Sequence, residues 1–104
     1  MAERAGDPFD ALADENRRAI LGMLGERGMA VVDIADRLPI SRPAVSRHLR
    51  VLSDAGFVAE ERRGTRRIYS LRAEGMEAVQ AYLERVWGEA ASRFRLFAEN
   101  TERR

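Results

Sequence analysis

The chain of 104 residues contains no cysteine, one histidine and no lysine. Without cysteine it can form neither disulfide bonds nor thiolate metal sites, and one histidine argues against a histidine-based metal site within a subunit. No apolar run approaches the roughly 20 residues that a membrane helix needs, and the N-terminus lacks the basic and apolar segments of a signal peptide. These absences predict a cytoplasmic protein with no membrane partner, no metal and no other cofactor.

The residues that are present predict one folded domain. Hydrophobic residues make up 45% of the chain and charged residues 34%, a balance found in folded rather than disordered proteins. We predict a single domain over residues 1–104, with its core at about 8–98. The ends, residues 1–6 and 101–104, are expected to be frayed.

The net charge of +1 conceals an uneven distribution. Residues 41–72 contain eight arginines and three acidic residues, a net charge of +5, whereas the segments before and after them carry −3 and −1. Positive charge concentrated in one part of a chain is typical of a surface that binds a polyanion such as DNA.

Residues 31–55 have the pattern of two helices joined by a tight turn. The first is predicted from Val31 to Leu38, and the residue before Pro39 is kept out of the helical region, which ends it. Ser41 then caps a second helix that runs to Ala55. Two helices joined by about three residues form a helix-turn-helix.

The helix at 41–55 separates apolar from polar side chains. Val45, Leu49 and Leu52 recur at i, i+4 and i+7 and are predicted to face the core. Arginine can bind guanine bidentately, serine can bind bases or phosphates, and a helix N-terminus can bind a phosphate. The alternative is a solvated arginine face, and for Arg50 the two interpretations stay equally open. The candidate DNA contacts on this helix are Ser41, Arg42, Pro43, Ser46, Arg47 and Arg50.

Residues 57–71 have the pattern of a β-hairpin. A strand from Phe57 to Arg62 and a return strand from Arg66 to Leu71 flank Gly64-Thr65, a sequence suited to a two-residue turn. The tip is predicted to contact phosphates or the minor groove. The alternative is a solvated turn, or charged strands that discourage pairing with other sheet edges. The candidate contacts at the tip are Arg62, Arg63, Thr65, Arg66 and Arg67.

The remaining segments predict three more helices. Asp7 and Asp14 are candidate N-caps for a short helix ending near Leu12 and for a second one over 17–26, which Gly28 is expected to close. A long helix is predicted from Glu74 to about residue 100. The expected fold is mainly α, with about five helices and a two-stranded hairpin.

The last helix carries a nearly continuous apolar seam. Its apolar residues recur at spacings of three and four from Met76 to Phe97. We predict a two-fold dimer through the first and last helices. Such a dimer would place the two copies of the helix at 41–55 about 34 Å apart. The alternatives are packing within one subunit, or a ligand pocket around Trp87. The candidate interface residues are Phe9, Leu12, Val79, Leu83, Val86, Trp87, Ala90, Phe94 and Phe97.

Over roughly residues 8–97, these segments resemble the winged helix-turn-helix transcriptional regulators of the arsenical-resistance repressor (ArsR) family. The resemblance implies a homodimer that binds operator DNA and a repression that a signal relieves. The stretches that carry it are Leu12-Ala13-Asp14 with residues 17–21, Ile34-Ala35 with Leu38, residues 41–49 with Leu52, residues 55–58 and residues 64–69.

The sequence departs from the family at its sensor. Metal-sensing members have cysteines in the third helix, or histidine and carboxylates in the last one, and neither set is present here. Asp33 and Asp36 are therefore interpreted as solvated helix charges, and the resemblance is to the branch that does not sense metals. An effector, either a small molecule or a protein, stays open, as does activation instead of repression.

No catalytic constellation is evident. His48 and Ser46 are two positions apart on a helix and do not face each other, so they do not form a nucleophile–base pair. His48 is expected to be packed or to contact a phosphate. We therefore expect a sequence-specific DNA-binding regulator and not an enzyme, most simply a dimeric repressor on a palindromic operator. The alternative is a protein-interaction module whose arginine surface docks an acidic protein partner.

Overall fold

The structure, a computed structural model, describes residues 6–102 and confirms the predicted class: mainly helical with one antiparallel hairpin. Residues 1–5 and 103–104 of the expected frayed ends lie outside the described residues. Of the remaining end residues, Gly6 donates a backbone hydrogen bond to the Asp54 carbonyl (2.9 Å), and residues 101–102 continue the last helix. The elements are α1 (Pro8–Ala11), α2 (Glu15–Leu24), α3 (Val31–Ala35), α4 (Arg42–Asp54), β1 (Val58–Arg63), β2 (Arg66–Leu71) and α5 (Glu74–Glu102).

Helices α1, α2 and α4 begin at the side-chain caps that the sequence predicts. Each cap accepts one of the backbone N–H groups that have no partner inside the helix. The carboxylates of Asp7 and Asp14 and the hydroxyl of Ser41 accept these bonds at 2.9, 3.1 and 3.2 Å. The bond from the Arg17 N–H is also the main reason that the pKa of Asp14 lies below its ordinary value.

The prediction that Gly28 closes α2 is wrong. The helix ends at Leu24, and Gly25 follows it with a right-handed helical backbone. Gly28 instead allows a close approach to the hairpin, because a Cβ atom there would lie 2.8 Å from Cγ2 of Ile68. The next residue, Met29, exchanges two backbone hydrogen bonds with Tyr69 (2.9 and 2.8 Å) and so forms an isolated antiparallel bridge to β2.

Helix α3 is shorter than predicted, ending at Ala35 and not at Leu38. The N–H groups of Arg37 and Leu38 bond to carbonyls three residues earlier, at 3.0 and 3.4 Å. The chain therefore tightens into turns before it enters α4.

The core lies where helices α2, α3 and α4 meet the base of the hairpin. The three residues predicted to face inward on α4 are fully buried, and Ile20 and Ile34 pack with them from α2 and α3. These contacts fix the orientation of α4 and leave its opposite side exposed. The buried cluster is Ala11, Ile20, Leu24, Met29, Ile34, Val45, Leu49, Leu52, Ala55, Phe57, Val58 and Val79.

The hairpin has the predicted turn. Its strands pair from Val58 with Leu71 to Arg63 with Arg66. Strand β1 therefore begins and ends one residue later than the predicted strand from Phe57 to Arg62. Gly64 is the first residue of the two-residue loop and has a φ of 62°. Glycine adopts this left-handed conformation at little cost, which is why it is favoured there.

Helix α5 has 29 residues and is therefore about 43 Å long. Its start is pressed against the domain, since a Cβ atom on Gly75 would lie 2.8 Å from both the Ala55 carbonyl oxygen and a ring carbon of Phe57. Within residues 6–102, no helix combines the length and apolarity needed to cross a membrane.

Candidate nucleic-acid interface

Helix α4 has one buried and one exposed side. Val45, Leu49 and Leu52 have no exposed surface, whereas the arginines and serines predicted to contact DNA are exposed. The division predicted from helical spacing is therefore present in the structure. All six predicted residues of this segment are exposed: Ser41, Arg42, Pro43, Ser46, Arg47 and Arg50.

His48 faces the protein and not the exposed side of α4. It is partly buried, and its Nδ1 atom lies 3.3 Å from Nη1 of Arg17 on α2. The same guanidinium donates to the carbonyl oxygens of Ala11 (2.8 Å) and Asp10 (3.2 Å) at the end of α1. Because arginine can only donate, Nδ1 of His48 is the acceptor in this contact. Sequence patterns gave no signal for this bridge, which joins three helices.

The arginines at the hairpin tip are exposed, but most of them already have a carboxylate partner. Three ion pairs are present: Arg63 with Glu61 at 3.3 Å, Arg66 with Asp33 at 2.9 Å, and Arg67 with Glu60 at 3.1 Å. Among the described residues, none forms an ion pair with Arg62. Exposed pairs of this kind are weak and are easily exchanged for other partners.

Asp33 was predicted to be a solvated helix charge, and this is wrong in one respect. Its carboxylate is about half exposed but binds the guanidinium of Arg66 on β2. The contact joins residues 33 positions apart, so no local pattern could reveal it. No group of three or more potential metal ligands is found among the described residues.

A polar cleft of about 300 Å³ separates the second half of α4 from the hairpin. Arg50 and Arg67 line it from opposite sides, together with Tyr69 and the acidic residues Asp54 and Glu60. Partial burial, followed by the charge of Glu60, raises the pKa of the Tyr69 phenol, which therefore stays protonated and can donate a hydrogen bond. The cleft joins the exposed side of α4 to the hairpin, giving one surface with cationic groups on both elements.

A second exposed surface lies on α1 and α5 and is apolar. The ring of Phe9 meets that of Tyr82 edge to face at 5.0 Å, which joins the two helices. The predicted seam is divided, however, because Val79 is buried in the core of its own subunit and Leu12 is partly buried against it. Val79 is therefore not available to a partner. The exposed members of the predicted set are Phe9, Leu83, Val86, Trp87, Ala90, Phe94 and Phe97.

Comparison with known sequences points to one class of protein. Residues 12–61 match the helix-turn-helix domain family. The HTH-type transcriptional regulator Rv2034 of Mycobacterium tuberculosis is 46% identical over 82 residues, which cover 79% of this chain and 77% of that protein. The transcriptional repressor SdpR of Bacillus subtilis is 40% identical over 63 residues, covering 61% and 70% respectively.

Solved structures agree with these relatives. An ArsR-like transcriptional regulator from Rhodococcus sp. RHA1 superimposes with a TM-score of 0.70 at 32% identity, covering 88% of this chain and 86% of that one. The homodimeric winged helix-turn-helix DNA-binding domain of Mb0332 from Mycobacterium bovis gives 0.64 at 30% identity, covering 80% and 77%.

These relatives are regulators of transcription, and none of them supports an enzyme or the alternative of a protein-interaction module. In this chain, α3 and α4 form the helix-turn-helix and the hairpin of β1 and β2 forms the wing. The chain belongs to the ArsR family of winged helix-turn-helix proteins and is a DNA-binding regulator of transcription.

Proposed function

We propose that the protein is a homodimeric repressor that binds a palindromic operator, with α4 in the major groove and the hairpin on the backbone or in the minor groove. The observation that carries this proposal is the exposed row of α4, whose opposite side is fully buried. An α-helix fits the major groove of B-DNA, and this one presents long donors there.

Base reading is assigned to the first half of α4. Arg42 and Arg47 are exposed near the helix N-terminus, and a guanidinium can bind O6 and N7 of guanine together. Ser46 lies between them and can bind a base or a phosphate. Ser41 and Pro43 lie at the helix start, where the backbone can approach a phosphate.

Backbone binding is assigned to the hairpin tip and to Arg50. Arg50 lines the same cleft as Arg67, and a phosphate placed between them would displace Glu60 from its ion pair with Arg67. The tip residues Arg62, Arg63, Thr65 and Arg66 are exposed and can follow the backbone past the major groove. Phosphate contacts of this kind fix the register of a protein on DNA without reading its sequence.

The dimer is assigned to the apolar surface of α1 and α5. Trp87 and Phe94 are 58% and 72% exposed in the single chain, and large exposed apolar patches are typical of interaction sites. A two-fold dimer would present two α4 helices to half-sites about 34 Å apart. Such a dimer would repress by occupying promoter DNA in the cytoplasm, and a small-molecule or protein effector would release it.

The test is a fluorescence anisotropy titration of the purified protein. The probes are a duplex from the region upstream of its own gene and a shuffled duplex of equal length, each at several salt concentrations. We expect tighter binding to the upstream duplex and a steep loss of affinity as salt increases. Equal, salt-insensitive binding to both duplexes, or no binding, would remove the proposal.

A further inference from the structure

The contact between Arg66 and Asp33 differs from the other ion pairs of the hairpin. Nη2 of Arg66 lies 2.9 Å from Oδ2 of Asp33, which is in the first turn of α3. The pairs of Glu60 and Glu61 stay within the hairpin. In the part of the chain that the structure describes, this is the only ion pair between the hairpin and the helix-turn-helix.

The tip of the hairpin has little other support. Nearer the body of the protein, β2 is held by Ile68 against Gly28 and by the backbone pairing of Tyr69 with Met29. Beyond them, residues 60–67 are all exposed. Among the described residues, the carboxylate of Asp33 is therefore the only group outside the hairpin that forms an ion pair with an arginine of the tip.

A DNA phosphate would compete with this carboxylate. Both groups offer oxygen acceptors to a guanidinium fork, so one can replace the other on Arg66. The two anions also repel each other at distances within the Debye length, about 8–10 Å at moderate salt. A phosphate that reaches Arg66 therefore meets a cation whose charge Asp33 already offsets.

We propose that Asp33 is a built-in competitor of DNA for Arg66. In the free protein the carboxylate holds the arginine, and on binding it yields Arg66 to a backbone phosphate. This exchange lowers the affinity of the wing for every DNA sequence alike, because it involves no base. The inference rests on the proposed DNA-binding function.

The variant that tests the exchange is Asp33→Asn, which keeps the size of the side chain and removes its charge. Asp36→Asn is the matched control, because Asp36 is exposed at the end of the same helix and has no ion-pair partner among the described residues. Each substitution changes the net charge by the same amount. Circular dichroism checks that both variants are folded.

Affinity for the upstream duplex is measured for both variants, each with arginine and with alanine at position 66. We expect Asp33→Asn to tighten binding by roughly two- to fivefold, and Asp36→Asn to have a clearly smaller effect. In the Arg66→Ala background the two aspartate variants should have equal affinities, because the arginine for which Asp33 and DNA compete is absent.

Three results would overturn the inference: weaker binding by Asp33→Asn, an equal gain from Asp36→Asn, or a gain that persists without Arg66. The first would make Asp33 an orienting group, and the other two would reduce it to a general charge. The unmodified protein reports separately on the proposed function. If it binds neither duplex, both proposals fail, whereas normal binding with any of these three results removes only the role of Asp33.

Discussion

Arg17 and His48 meet across α2 and α4, with 3.3 Å between Nη1 and Nδ1. The same guanidinium holds the last carbonyls of α1, at Asp10 and Ala11. One side chain therefore ties the helix that carries part of the apolar surface to the helix assigned to DNA reading. The structure thus gives Arg17 a structural role.

Arg17→Ala is expected to lower the free energy of unfolding by about 2 kcal/mol, since hydrogen bonds to charged groups in partly buried sites are worth that much. Arg18→Ala is the control, because the exposed side chain of Arg18 donates one hydrogen bond, to the Leu12 carbonyl. This substitution should lower the free energy of unfolding by about 0.5 kcal/mol or less. Urea denaturation measures both. Equal losses would show that the bridge has no special role.

Arg42→Ala and Arg47→Ala are each expected to weaken operator binding by about 1–3 kcal/mol and to relax the base preference at one position. The reason is the loss of a bidentate contact to a base edge. Arg27→Ala removes an equal charge from an exposed site between α2 and α3. Binding to a set of single-base operator variants distinguishes the cases, and an unchanged preference would contradict the assignment of α4.

Leu83→Glu is expected to raise the dimer dissociation constant at least about tenfold, because it places a charge in an apolar interface. Ala81→Glu provides the comparison, since Ala81 lies on the same helix two residues away and about 160° around its axis from Leu83. Sedimentation velocity at several concentrations gives the constants. Should Ala81→Glu dissociate the dimer as strongly, the interface lies on another face of α5.

Asp14→Asn tests the pH dependence of the α2 cap. The pKa of Asp14 is lowered in the folded state, mainly by the Arg17 N–H, so its carboxylate stabilises the fold above the ordinary value of 3.8. This stabilisation is lost as the pH falls through the lower folded pKa. The unfolding free energies of the unmodified protein and of Asp14→Asn should differ most near pH 6 and converge in acid. A difference that does not change with pH would contradict this expectation.

Gly75→Ala and Gly88→Ala are expected to act in opposite directions. A Cβ atom on Gly75 would collide with the Ala55 carbonyl and the Phe57 ring, at a cost of about 1–3 kcal/mol. Gly88 lies in the same helix with no atom within 4 Å of a new Cβ, so alanine there should stabilise by about 0.5–1 kcal/mol. Thermal denaturation gives both signs, and a stabilising Gly75→Ala would contradict the packing described.

The sequence predicts those parts of the fold that depend on neighbouring residues. Caps such as Ser41, the turn at Gly64 and the buried side of α4 are set by local spacing and local chemistry, and the structure has all three. The ends of α2 and α3 were less predictable. Helix α2, for example, ends at a glycine, Gly25, that lacks the left-handed conformation typical of a helix end.

The contacts that give the site its properties join residues far apart in the chain. The role of Gly28 depends on Ile68, and that of Asp33 depends on Arg66. Helical or strand periodicity says nothing about such pairs. Likewise, Val79 belongs to the same seam as Leu83 by spacing, and only the position of the domain against α5 decides which of them is buried.

The close seating of Gly75 has a mechanical consequence for the proposed dimer. Helix α5 extends about 43 Å from this point, so a tilt of about 5° there moves its far end by about 4 Å. In the proposed dimer, that shift would change the separation of the two α4 helices by about the rise of one base pair. The range of operator spacings that this dimer accepts would therefore depend on how stiffly the first turns of α5 are seated on the domain, through Gly75, the buried Val79 and the contact of Tyr82 with Phe9.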